Sequence, residues 1–161
     1  MPLAGARAQQ PEPLDGPGRQ FQDSLFDRLV GSWRFTGTIR GNAATHDWHA
    51  EWVLHHQFLR IDMRDVNQPP AYQATVYIGY DNTSERYVAH WLDSFGGRFS
   101  ETLGYGVREG NAVRFVFEYP DGPFHTTFTQ DAKTGAWSVR MRTKQADGTW
   151  GVFAELTAPR R

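Results

Sequence analysis

The chain has 161 residues, enough for one domain with a sizeable core, and its 17 basic and 18 acidic side chains leave a net charge of −1. That balance gives no electrostatic basis for a nucleic-acid partner or an anionic membrane surface. Cysteine is absent, which excludes disulfides, thiolate nucleophiles and zinc–cysteine sites, and no apolar run is long enough to span a bilayer as a helix.

Residues 1–20 carry Pro2, Pro11, Pro13 and Pro17 and show no apolar period, so a disordered tail is expected there. Ala6-Arg7-Ala8 before Gln9-Gln10 has the small-x-small form of a secretory cleavage site. The charged start and apolar run of a signal peptide are missing. The expectation is a cytoplasmic protein with a flexible tail. The alternative is an exported protein whose start codon lies further upstream.

Phe21, Leu25 and Leu29 fall at i, i+4 and i+8, and this spacing predicts a short helix over 22–30, capped by Asp23 or Ser24 and stopped by Gly31. From there a single domain is expected over 21–159, and no helical period recurs. Turn signals such as Gly41-Asn42, Asp81-Asn82, Glu109-Gly110-Asn111, Asp121-Gly122 and Asp147-Gly148 punctuate segments that alternate apolar and polar. Trp33-Phe35-Gly37-Ile39, Trp48-Ala50-Trp52-Leu54, Leu59-Ile61-Met63, Val113-Phe115-Phe117-Tyr119, Trp137-Val139-Met141 and Trp150-Val152-Ala154-Leu156 each place their residues on one strand face. Over 72–80, 86–93 and 98–105 either face can be the apolar one. About ten strands with short connections make an antiparallel meander, and closing it removes two bare edges. The fold expected is all-β: a closed antiparallel up-and-down barrel of about ten strands with a short N-terminal helix.

Leu29-Val30-Gly31-Ser32-Trp33, then Gly79-Tyr80-Asp81, then Tyr87-Val88-Ala89-His90-Trp91-Leu92-Asp93-Ser94 resemble the DUF1579 family of lipocalin-like (calycin-type) barrels. The opening Gly-x-Trp is similar to that of lipocalins and of nitrobindin-like haem barrels. The resemblance implies structural roles for Gly31, Trp33 and Gly37 and carries no known chemistry. In the haem barrels the iron ligand is a His on a strand near the C-terminus. This chain has no His after His125, so no cofactor is expected.

Chemistry has to come from individual residues. His90 lies mid-strand, and if its face turns inward it lines the cavity with Glu101 as its orienting partner. His46, His49, His55 and His56 match no metal-ligand spacing, so no metal is expected. Asp93, Ser94 and His90 lack the elbow of a nucleophilic serine. Phe, Trp and Tyr make up 14% of the chain, which points to an interior walled by rings. The reading is therefore a barrel that binds a small, largely apolar or aromatic molecule, with His90, Glu101, Trp52, Phe115, Phe117 and Met141 as ligand-contacting residues. One alternative is an isomerase, cyclase or hydrolase using His90 and Glu101 inside the barrel. Another is an interaction module, a homodimer through the outer wall of strands four to six, with Tyr77 or Trp91 as its anchor.

Overall fold

The alternating segments become strands and the strands close. The computed structural model describes residues 13–160, in which the strands are β1 (Gly31–Ile39), β2 (Asn42–Val53), β3 (Phe58–Asp65), β4 (Gln73–Asp81), β5 (Arg86–Asp93), β6 (Leu103–Glu109), β7 (Ala112–Tyr119), β8 (Gly122–Gln130), β9 (Trp137–Lys144) and β10 (Trp150–Ala158). Each pairs antiparallel with its neighbours in sequence, and β1 meets β10 from Thr36–Thr157 to Ile39–Ala154, giving a closed barrel of ten strands. No helix among the described residues is long and apolar enough to cross a membrane.

The barrel interior is the core. Trp33, Phe35, Trp48, Leu59, Ile61, Val76, Ile78, Phe115, Phe117, Phe128, Trp137 and Val139 all point into it and are buried. Of the two faces open to β4 and β5, Ala74-Val76-Ile78 and Tyr87-Ala89-Trp91 turn inward. Gly37 is required by a close approach rather than by a bend alone. A Cβ there would sit 1.9 Å from the Glu155 carbonyl oxygen of β10, at the seam that closes the barrel.

Two segments depart from simple alternation. The sixth strand does not run over 98–105. Gly97–Ser100 form a single helical turn, α1, and β6 begins at Leu103. Its inward residues are Gly104 and Gly106, because the rings of Phe117 and Phe115 fill the space a side chain would need: added Cβ atoms would lie 2.5 Å and 2.8 Å from those rings. Leu103, Tyr105 and Val107 therefore face out and are exposed. In β10 a bulge between Val152 and Ala154 shifts the register. Ala154, Leu156 and Ala158 are inside, while Val152 is exposed and Trp150 stacks on the outer-wall His125 at 4.0 Å.

The predicted helix over 22–30 is reduced to a 3₁₀ turn, Phe26–Leu29. Its apolar side chains do what the spacing requires: Phe21, Leu25, Phe26 and Leu29 are buried, and they plug one end of the barrel. Tertiary groups take over the hydrogen bonds a longer helix would make. The Asp23 carboxylate accepts the N–H groups of Leu25 and Phe26, both at 2.9 Å, which is a capping role. At the other end of the turn, the indole N–H of Trp33 donates to the Leu29 carbonyl at 2.7 Å and that of Trp137 to the Arg28 carbonyl at 3.3 Å. The Trp52 indole donates to the Asp27 carboxylate at 2.9 Å.

Before the plug, residues 13–20 lie against the β2–β3 turn, where the Gln57 amide donates to the Gly16 carbonyl at 2.9 Å. Residues 1–12, including the Ala6-Arg7-Ala8 motif, lie outside the described residues.

Asp23 is the buried hinge of this arrangement. Besides the two backbone N–H groups it accepts the Tyr87 hydroxyl, and Arg108 lies 3.6 Å from it. Removing the carboxylate leaves three hydrogen-bond donors without their acceptor and Arg108 without its counter-charge. Asp23→Ala is expected to lower the unfolding free energy by about 2–4 kcal/mol in urea titration. A loss below about 0.5 kcal/mol, the scale of an ordinary surface substitution, would mean that the plug does not depend on Asp23.

Candidate functional site

At the end opposite the plug, β1, β3, β5, β7 and β9 finish and the even-numbered strands start. The inward positions there carry a different chemistry from the core below. His46 and Asp65 face each other across β2 and β3. Asp93 ends β5, two residues beyond the inward Trp91. Tyr72, just before β4, joins them: its hydroxyl accepts the Trp91 indole N–H at 2.9 Å and donates to the Asp93 carboxylate at 3.2 Å. Its ring lies parallel to the His46 ring, 5.7 Å away.

Aromatic rings continue round the wall. Trp91 meets Phe117 edge-on, Phe117 stacks on Tyr119 at 5.4 Å, and Tyr119 meets Phe124 edge-on. The connection between β5 and β6 adds a rim. Phe95, 70% exposed, sits 5.8 Å from the Tyr72 ring, and Phe99 of α1 meets Tyr119 at 5.6 Å. Tyr72, Tyr119, Phe124, Met141, Ile39 and Ala44 pack on the core and are only partly buried. The wall stays apolar up to the point where solvent reaches it.

Burial sets the ionisation of the polar groups. It pushes the hydroxyls of Tyr72 and Tyr119 up, the latter to about 12, and the nearby Asp93 charge pushes both in the same direction. Burial pushes the His46 imidazole down, partly opposed by Asp65. Burial also raises Asp65, but the N–H groups of Asn67 and Tyr72 outweigh it and hold this carboxyl below its usual range. Asp93 makes no ion pair with Lys or Arg among the described residues, and no Lys or Arg occupies an inward position at this end.

The residues singled out from sequence fall in three places. Phe117 and Met141 are inward in the open half, with Met141 opposite Thr126 and Ala154. Phe115 is central core, and Trp52 belongs to the plugged end, stacked on His56 at 4.1 Å. His90 and Glu101 are not brought together in the interior. His90 is on the outer face between Tyr77 and Leu103, and its Nε2 donates to the Ser100 carbonyl at 2.7 Å, tying α1 to β5. Glu101 follows α1 and is exposed. Trp91 is inward and so does not belong to the outer wall of β4–β6, where Leu92, Leu103, Tyr105 and Val107 are exposed.

His49 is also on the outer wall, bonded to Ser32, and His56 bonds the Phe21 carbonyl. Among the described residues no three His, Asp or Glu side chains gather as metal ligands. A groove of about 940 Å³ runs along β1–β4 to the end of β5; Arg34, Asp47, His49, Asp62 and Arg64 line it from the outer face, and Asp65 and Asp93 also border it. Arg34 and Asp47 neutralise each other through a two-point pair at 2.7 and 2.8 Å, so this groove is a solvated, internally paired surface.

Residues 20–160 match the family DUF1579, described as a protein of unknown function. The chain belongs to DUF1579. No curated protein matches it. Within this DUF1579 barrel the residues that define the open end went unremarked in the sequence because each has an ordinary alternative role. His46 reads as one of a histidine group, Tyr72 as a loop residue after two prolines, and Asp93 as the start of a turn. The available signal was parity: counted in twos from the buried Trp48 and Trp91, His46 and Asp93 are inward.

The raised tyrosines give a pH dependence with a definite sign. A group whose folded pKa lies above its unfolded value contributes stability below the unfolded value and loses it as pH rises through the folded one. For Tyr119 the window runs from 10.0 to about 12. The melting temperature is expected to fall across this window, and Tyr72→Phe and Tyr119→Phe to make the fall shallower. Phenolate absorbance appearing well before unfolding would show these hydroxyls to be freely ionisable.

Proposed function

We propose that this chain is a lipocalin-like carrier or sensor barrel that binds a small, largely apolar molecule in its open half, between Phe117, Met141 and the polar set of Tyr72, Asp93 and His46. The observation behind this reading is the asymmetry of the interior. One end is stopped by four buried apolar side chains and three indole hydrogen bonds, while at the other the apolar wall is left partly exposed. Apolar walls with a few convergent polar groups are the ordinary make-up of small-molecule sites.

Large rings occupy the lower barrel, so the molecule is small, flat or slender.

The neutral fluorescent probe N-phenyl-1-naphthylamine is expected to bind with a blue shift and micromolar affinity. Met141→Trp, which fills the open half, is expected to weaken it at least tenfold, while Leu92→Ser on the outer wall leaves it unchanged. Binding lost on Leu92→Ser and kept on Met141→Trp would move the site to the outer wall, and no binding at all would reject the reading.

A further inference from the structure

We propose that the molecule taken up at the open end is an organic ammonium ion, an amine on an apolar body, with its charged nitrogen beside Asp93 and against the faces of Tyr72, Trp91 and Tyr119. This rests on the open-end reading above and names its ligand class.

The charge pattern selects a cation. Asp93 uses one oxygen for the Phe95 N–H at 3.0 Å and the other for the Tyr72 hydroxyl at 3.2 Å. Both donors are neutral, so the carboxylate keeps acceptor capacity and makes no ion pair with Lys or Arg among the described residues. The other inward carboxylate, Asp65, is satisfied by the backbone N–H groups of Asn67 and Tyr72. With no inward Lys or Arg among the described residues at this end, and with Arg98 at the rim paired to Asp121, an anionic ligand would meet two inward negative charges and no inward positive one. A cation would meet the reverse.

The rings match the charge. Aromatic faces carry negative potential and attract ammonium groups, more so away from bulk water. Tyr72 and Trp91 are fixed to each other and to Asp93 by hydrogen bonds, so their positions are set before a ligand arrives. Tyr119 feels the Asp93 charge and is held between Phe117 and Phe99. Beyond this polar corner lie Phe117 and Met141, apolar contacts for the rest of the molecule.

The test compares octylamine, octanol and octanoate, which share one apolar body, in displacing N-phenyl-1-naphthylamine at neutral pH. Octylamine is expected to displace the probe at a concentration at least tenfold below that of octanoate and severalfold below that of octanol. Asp93→Asn keeps one acceptor oxygen, for the Phe95 N–H, and presents its amide N–H to the Tyr72 hydroxyl; it is expected to abolish the preference for the amine over octanol. Octanol or octanoate binding as well as the amine would overturn the ammonium assignment and leave the open-end site standing. An amine preference that survives in Asp93→Asn would overturn the role of Asp93. Probe binding with no displacement by any of the three would overturn the ammonium assignment, and failure of the probe itself to bind would overturn both readings. The comparison within the unaltered protein decides the ligand class even if the variant does not fold.

Discussion

The architecture depends on the way Asp23 and three tryptophans hold a very short N-terminal turn inside one end of the barrel. A four-residue 3₁₀ turn has almost no stability of its own, since nucleating a helix costs more than one turn returns. Here its termini are completed by groups from distant strands: indole N–H donors from β1 and β9 at its carbonyl end, and a local carboxylate at its amide end. Indoles suit the task because they combine a large apolar surface with a single directed donor. Trp33 and Trp137 bury apolar area and satisfy the backbone at once, so the plug needs no helix of ordinary length.

Sealing one end by these means fixes the chemistry of the other. It also explains why strain is tolerated at the β2–β3 turn. Leu54, His55 and His56 have φ angles of 52, 56 and 64°, three successive left-handed residues without a glycine, each costing about 1–2 kcal/mol. The turn is clasped to the incoming chain by one backbone and one side-chain bond: the Phe21 N–H donates to the His56 carbonyl, and the His56 ring donates to the Phe21 carbonyl. Stacking of His56 on Trp52 adds a third tie. The plug and the strained turn hold each other, which places this end of the barrel among its most constrained parts and leaves adaptability to the other end.

The barrel itself was legible because alternation, turn residues and short connections agree with one another. Where the reading slipped, the cause was a residue invisible to an apolar pattern. Gly104 and Gly106 are inward because Phe117 and Phe115 project across to them, so the apolar signal of β6 came from its outer face. In β10 the single extra residue at the bulge reverses the parity of Trp150 and Val152 relative to Leu156. The N-terminal spacing marks Leu25 and Leu29 as buried, but cannot show that the turn begins only at Phe26, where the Asp23 carboxylate takes the N–H groups of Leu25 and Phe26. For the open end the limit was different. His46, Tyr72 and Asp93 come from three separate segments, and only the register β2–β3–β4–β5 makes them neighbours. His90 drew notice as a lone mid-strand imidazole, and the parity of β5 sends it to the outer wall.

The contrast between the two ends bears on what the open half is for. A barrel selected for stability alone would fill its mouth with apolar side chains, since every buried hydroxyl or carboxylate must recover the hydrogen bonds it loses from water. The plugged end follows that logic, using the Asp23 carboxylate where three donors and a guanidinium converge on it. The open end does not. Asp93 is matched with just two neutral donors, and the rings of Tyr72, Tyr119 and Phe124 are left partly exposed. Departures of this kind gather where a protein gives up stability for recognition. The rim strengthens the point. His90, acting from the outer wall through Ser100, holds α1 in place and with it Phe99 against Tyr119, so even a residue outside the cavity helps to shape its entrance.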